Sequence, residues 1–129
     1  MLIKNVHIEN DPEVKDVRIE NGIFKAIGKN LEASDDEVID ANGKLLLPPF
    51  IDSHVHLDAT LTAGDPEWNE TGTLFDGIRI WSERKQTLTK KETKERAIQT
   101  LKKQASHGIQ FVRSHVDTTD PSFTALEAL

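Results

Sequence analysis

Apolar and polar side chains alternate in short runs through residues 1–47. In Leu2–Ile8, positions 2, 6 and 8 share an apolar face, with Lys4 breaking the alternation. Asn10-Asp11-Pro12-Glu13 reads as a turn, after which Val17 and Ile19 alternate with Arg18 and Glu20. Asn21-Gly22 separates that run from Ile23–Ile27, and Asn42-Gly43 separates Val38-Ile39 from Leu45–Leu47. Asn-Gly between apolar runs predicts a hairpin, because a type I′ turn needs positive φ at both central residues. An acidic loop, Ser34-Asp35-Asp36-Glu37, lies between. Residues 1–47 are therefore expected to form an antiparallel β-module, too small to make a good core alone.

After Pro48-Pro49 the pattern changes to β, α, α, β, α. Phe50–Leu57 reads as a buried strand. Thr73 is placed to cap a helix with Leu74, Ile78 and Trp81 at i, i+4 and i+7. Thr89-Lys90-Lys91-Glu92 is a capping box, opening a helix with Ala97, Ile98, Leu101 and Ala105 on one stripe. The Lys and Glu residues of that helix read as its solvated face. Gly108 suits the position just past its end, and Ile109–Val116 reads as a second strand. Asp120-Pro121 is expected to start a last helix, with Pro at the first helical position. The β-to-α alternation predicts an α/β fold with a parallel sheet. Two parallel strands do not cover each other's faces. Residues 48–129 are thus expected to be the front part of a larger β/α domain in a longer protein; a small complete α+β domain is the alternative.

Composition narrows the classes. The 129 residues carry 16 Lys and Arg against 22 Asp and Glu, a formal net charge of −6. With a pI near 5.3, the chain lacks the basic footprint of a nucleic-acid binder. No apolar run approaches the ~20 residues of a membrane helix, so no membrane partner is expected. Met1-Leu2-Ile3-Lys4-Asn5 has no signal-peptide pattern, which makes the cytoplasm the default expectation. There is no Cys, so disulfides, thiolate metal sites and a Cys nucleophile are excluded. Any metal must be held by His and carboxylates.

His54-Val55-His56 meets that requirement. On a strand, alternate residues face one side with Cα atoms roughly 6.6 Å apart, so the two imidazoles can converge on one metal ion. Asp52 and Asp58 share that parity and are candidate acceptors for fixing the ring tautomers. The bland alternative is a pair of ordinary surface or core histidines. Arg113, His115 and Asp117 share one face of the second strand, either near the metal or as a self-satisfied polar network. Trp68 and Trp81 read as core or loop anchors, His7 and His107 as surface residues, and Lys90-Lys91 and Lys102-Lys103 as solvated helix faces.

Leu47-Pro48-Pro49-Phe50-Ile51-Asp52-Ser53-His54-Val55-His56-Leu57-Asp58 resembles the strand-one metal motif of the amidohydrolase superfamily. It is most similar to bacterial cytosine deaminases and their relatives. The likeness extends through Thr62-Ala63-Gly64, Trp68-Asn69, Gly72–Ile78, Trp81-x-Glu83-Arg84-Lys85 and Gly108–Asp117. The resemblance implies a (β/α)8 TIM-like metal-dependent hydrolase barrel flanked by a β-sandwich built from both chain ends. Residues 1–47 would be an N-terminal portion of the sandwich, and residues 48–129 the first two β/α units. A barrel takes about 250 residues, so most of it lies outside this sequence.

By the same resemblance, His54 and His56 are metal ligands for one divalent ion, iron or zinc. The backbone of Leu74 touches the substrate ring; a core leucine at a helix start is the alternative. Strand two gives no ligand in the closest relatives, which favours a supporting role for His115. The later His ligands, a metal-binding Asp and an acid/base Glu have no counterpart here, so no catalytic residue is assigned. The implied reaction is hydrolytic deamination of cytosine or a similar pyrimidine. Water adds to the amidine-like ring carbon and ammonia leaves, while the metal makes hydroxide available near neutral pH. The deaminases with an H-x-E and P-C-x-x-C signature are excluded by the absence of Cys. The expected partners are a small pyrimidine-like substrate and further copies of the chain in a homo-oligomer. Two other readings remain open: a relative acting on another ring, such as an aminotriazine or cyclic amide, and a truncated, non-catalytic fragment that pairs with another chain.

Overall fold

Asn21 and Gly22 adopt left-handed φ values of 52° and 75°, and the chain reverses there as the Asn-Gly rule requires. The strands they join, β2 (Val14–Glu20) and β3 (Ile23–Gly28), pair antiparallel, with Glu20 opposite Ile23. β1 (Leu2–Ile8) pairs antiparallel with β2. Its register shifts between Ile3 and Val6, where Asn5 takes a positive φ of 55°. The buried Asp16 pins this irregularity by accepting Asn5 N–H at 3.0 Å and Leu31 N–H at 3.0 Å. This computed structural model describes residues 1–35 and 37–129; Asp36 of the expected acidic loop lies outside them.

The second Asn-Gly overturns an expectation. Asn42 and Gly43 have φ of 50° and 75°, and Lys44 N–H donates to Ala41 O at 2.9 Å, so a tight turn does form. Yet its arms do not pair with each other. β4 (Val38–Asp40) and β5 (Leu45–Leu46) both lie parallel to β1, against Leu2–Lys4 and His7-Ile8 in succession. Gly43 N–H donates to Asn5 O at 2.7 Å, so the turn sits over the bulge of β1. The sheet is therefore mixed, in the order β3-β2-β1-β4 with β5 also on β1, and not an antiparallel module. Leu2, Val6 and Val17 are its fully buried side chains. Residues Met1–Pro48 form one compact unit and Pro49–Leu129 a second.

In the second unit β6 (Phe50–Val55) and β7 (Ile109–Ser114) are parallel neighbours, as the β-to-α alternation predicts. Both strands stop two residues earlier than the apolar pattern suggests. Between them lie α1 (Leu74–Lys85) and α2 (Lys90–Ser106). Thr73 caps α1 by accepting Asp76 N–H, and Thr89 caps α2 by accepting Glu92 N–H. The reciprocal half of the expected capping box is absent, because the Glu92 carboxylate instead accepts from the buried Arg84 and Arg96. Gly108, at φ 83°, leads directly into β7, and its N–H donates to Ala105 O at 3.0 Å. A Cβ here would meet Phe50 at 3.5 Å. On the α2 stripe Ala97 is buried, but Ile98 and Leu101 remain exposed.

The last helix, α3 (Thr124–Ala128), starts later than Asp120-Pro121 predicts. The Asp120 carboxylate accepts from Ser122 N–H at 2.9 Å and Thr124 N–H at 3.2 Å. That local bonding holds residues 120–123 in turns and competes with helix. The unit's buried polar groups are Asp58, Arg84, Thr93 and Arg96. No helix among the described residues is long and apolar enough to cross a membrane.

Candidate active site

The His-x-His pair emerges where β6 ends. His54 is the penultimate residue of the strand and His56 lies one past it. The strand parity still brings the rings to one side: their centroids are 5.4 Å apart and tilted by 56°. Two imidazoles on one tetrahedral zinc, at Zn–N of about 2.0–2.1 Å, have centroids roughly 5 Å apart. The pair thus fits a shared ion, and imidazole suits both iron and zinc. Among the described residues no group of three or more His, Cys, Asp or Glu converges to hold a metal. Among the described residues the pair thus presents two candidate donors, where catalytic zinc sites take three from protein.

His115 joins the pair in a different manner. It lies one residue past β7, and its N–H donates to Val55 O at 2.8 Å. Its ring stacks on His54, 3.9 Å away and within 15° of parallel. This face-to-face contact holds the plane of the His54 ring. Burial, then the charges of His54, Arg113 and His56, lowers the His115 pKa and favours neutral imidazole.

The expected trio on β7 is not a network. Arg113 is exposed, His115 goes to His54, and Asp117 lies beyond the strand. Asp117 instead ties strand end to helix. Its Oδ2 accepts Trp81 Nε1–H at 2.8 Å and Lys85 Nζ–H at 2.8 Å, and its Oδ1 accepts from Thr119. Burial pushes the carboxyl upward, but the hydrogen bonds from Lys85, Thr119 and Trp81 override it and hold Asp117 well below the usual carboxylate range. Trp81 is thus an anchor, as expected, while Trp68 is exposed and lies against Gly64. His107 is exposed and His7 half-buried.

The two flanking aspartates part company. Asp52 accepts His54 N–H at 3.1 Å and Gln104 Nε2–H at 2.6 Å, so it serves backbone and helix, not an imidazole. Asp58 is fully buried with Oδ1 3.6 Å from His56 Nδ1. Below it, Arg96 Nη1 donates to Asp58 O at 2.9 Å and Thr60 O at 2.6 Å, holding the turn that follows the histidines. Arg84 pairs with Asp65 at 2.7 Å and with Glu92. The reading of α2's charges as a solvated face misses Arg96. The signal was present: it is the single Arg among the helix's lysines, four residues after Glu92.

An open cleft of about 530 Å³ adjoins the pair, lined by His56, Ala59, Trp81, Val116, Asp117 and Thr119. Leu74 opens α1, with its residue surface 75% exposed.

With this geometry in place, likeness to other proteins becomes informative. The sequence profile of the amidohydrolase family matches residues 37–127. The chain belongs to the amidohydrolase family.

Over 99% of its length this amidohydrolase chain superposes on 5-methylcytosine deaminase from Klebsiella pneumoniae liganded with 5-fluorocytosine, with TM-score 0.88 and 45% identity. That match covers 32% of the deaminase chain. N-isopropylammelide isopropyl amidohydrolase of Pseudomonas sp. (strain ADP) is 28% identical across 100% of this chain and 33% of its own length. A dihydroorotase of Acetivibrio thermocellus is 43% identical over 83 residues, 57% of this chain and 18% of that protein. The amidohydrolase chain thus spans about a third of the first two proteins and less of the third.

Proposed function

We propose that the chain supplies the first part of a metal-dependent hydrolase that deaminates cytosine or a closely similar pyrimidine. The observation that carries this reading is the 45% identity to 5-methylcytosine deaminase across 99% of the chain. In it, residues 1–47 contribute to a β-sandwich, and β6, β7 and their helices form the first two units of a (β/α)8 barrel. The side chains of Phe50, Ile51 and Phe111 support the barrel: they are 58%, 71% and 58% exposed here, and barrel strands are covered on both faces. Barrel sites gather at the C-terminal ends of the strands, where His54 and His56 stand.

His54 and His56 hold one divalent ion, iron or zinc, through ring nitrogens. When bound, such a metal acts as a Lewis acid and lowers the pKa of water toward neutrality. The remaining roles fall to this chain's own groups. His115 sets the plane of the His54 ring, Asp117 and Trp81 form a fixed wall of the cleft, and Leu74 presents backbone at the start of α1 to the substrate ring. No further metal ligand and no acid/base residue is assigned among these 129 residues. The isolated chain should therefore release no ammonia from cytosine above a metal-only blank.

The test is ammonia release from cytosine and 5-methylcytosine by the full-length protein. Turnover of either supports the proposal; turnover of neither overturns it. A second reading, hydrolysis of a C–N bond on an aminotriazine ring, is favoured by the match to N-isopropylammelide isopropyl amidohydrolase over the whole chain. It predicts turnover of N-isopropylammelide with both pyrimidines inert.

A further inference from the structure

The Asp58 carboxylate is used on one side only. Its Oδ2 accepts the Asp117 backbone N–H at 2.9 Å. Its Oδ1 is buried and has no hydrogen-bond partner, with His56 Nδ1 3.6 Å away. A carboxylate oxygen withdrawn from water without a donor is costly, by about 1–3 kcal/mol or more, so an orphan of this kind calls for an explanation. The neighbouring imidazole supplies one. Asp58 cannot turn away, because the Asp117 N–H holds its Oδ2 and Arg96 holds its carbonyl oxygen at 2.9 Å. The His56 side chain is 46% exposed.

Given His56 as a metal ligand, the reading proposed above, we infer that Asp58 is its positioning residue: Oδ1 accepts Nδ1–H, keeps the ring in that tautomer and leaves Nε2 bare for the ion. A ligating imidazole needs its other nitrogen protonated and held, and a carboxylate does this well. The two histidines are then positioned by different means. His54 is oriented by stacking on His115, and the nearby Asp52 is already taken by Gln104 and the His54 backbone. His56 is oriented through a chain that begins on α1, where Trp81 and Lys85 fix Asp117, whose N–H fixes Asp58.

Asp58→Asn tests this in the full-length protein. The Asp117 N–H demands an acceptor, so the amide oxygen takes that place and the NH2 faces His56 Nδ1. Nδ1 must then accept, which moves the ring proton to Nε2 and blocks the metal. Zinc affinity, measured by competition with a chromophoric chelator, should fall 10–100-fold, while the metal-free unfolding midpoint stays near that of the parent. A loss below tenfold overturns the inference. His56→Ala separates it from the ligand reading. If His56→Ala binds zinc like the parent, His56 is no ligand and both fail; if it loses zinc while Asp58→Asn does not, only the positioning role fails. A measurement on the unaltered protein stands even if the variant does not fold. Long-range proton–nitrogen NMR of the metal-free protein should find His56 protonated at Nδ1, and protonation at Nε2 overturns the inference.

Discussion

In Met1–Pro48, β1 carries a backbone ladder on both edges, and Leu2, Val6 and Val17 are wholly withdrawn from water. In Pro49–Leu129 the two-stranded sheet leaves Phe50, Ile51 and Phe111 more than half exposed, while Asp58, Thr93, Arg84 and Arg96 are buried. The first unit is held by ladder and aliphatic contact, with the buried Asp16 pinning its bulge. The second buries Leu57, Ile80, Ala97 and Ala125 and adds charged and polar groups knitted across helix, turn and strand end, close to the histidines. The difference teaches where precision is needed. Aliphatic packing is non-directional and tolerates small shifts, whereas hydrogen bonds fix angles as well as distances. The unit carrying the candidate chemistry is the one richer in buried polar side chains.

The contrast can be broken by mutation, and the largest effect belongs to the site itself. His54→Ala or His56→Ala in the full-length protein should remove most bound iron or zinc by elemental analysis and reduce ammonia release to background. Unchanged metal in both variants would end the ligand reading. Next come the two kinds of core. Leu2→Ala should destabilise the first unit by about 2–5 kcal/mol, the usual range for a buried leucine. Arg96→Ala should cost the second unit about 3 kcal/mol, because it strips the donor from two carbonyls and leaves Glu92 one partner fewer. Denaturant midpoints measure both. An Arg96→Ala cost below about 1 kcal/mol would show that the buried polar network is passive.

Asp117→Asn gives a smaller, pH-dependent effect of about 1–2 kcal/mol at neutral pH, discounted for partial exposure. The folded carboxyl titrates below its ordinary value of 3.8. Its contribution is therefore complete above that value and is lost as pH falls through the lowered one. The gap between parent and variant should narrow steadily below pH 3.8, and a gap that widens on acidification would contradict the network drawn around Asp117. An effect of similar size, without the pH dependence, is expected for Gly43→Ala. Open space surrounds the site, so only the left-handed φ of 75° is penalised, by about 1–2 kcal/mol. Equal costs for Gly22→Ala and Gly43→Ala would mean that turn geometry, and not what the arms pair with, governs both.

Those two turns also mark what the sequence makes legible. Both Asn-Gly pairs form tight turns, because that preference is local. Which strands the arms join is not local. Asn21-Gly22 has adjacent runs of matching length, whereas the arms of Asn42-Gly43 are taken up by the open edge of β1. The parallel pairing of β6 and β7, both helix caps and Gly108 follow from periodicity and capping chemistry. The His54–His56 juxtaposition follows from strand parity, even though the strand stops at Val55. Parity misleads for Asp52, because Gln104, distant in sequence, claims its carboxylate. Arg96 escapes a reading that treats the charges of α2 as solvated, since the carbonyls it binds belong to the turn after β6.

The grip of Arg96 on the Asp58 and Thr60 carbonyls makes the turn after the histidines a dependent of α2 in its dynamics. The amide protons of Ala59 and Thr60, both bonded to His56 O, should exchange with solvent in step with the opening of α2, not with fraying of β6. Opening of α2 would release both carbonyls at once, so a substitution on its outer face should change the exchange rates of those two amides together.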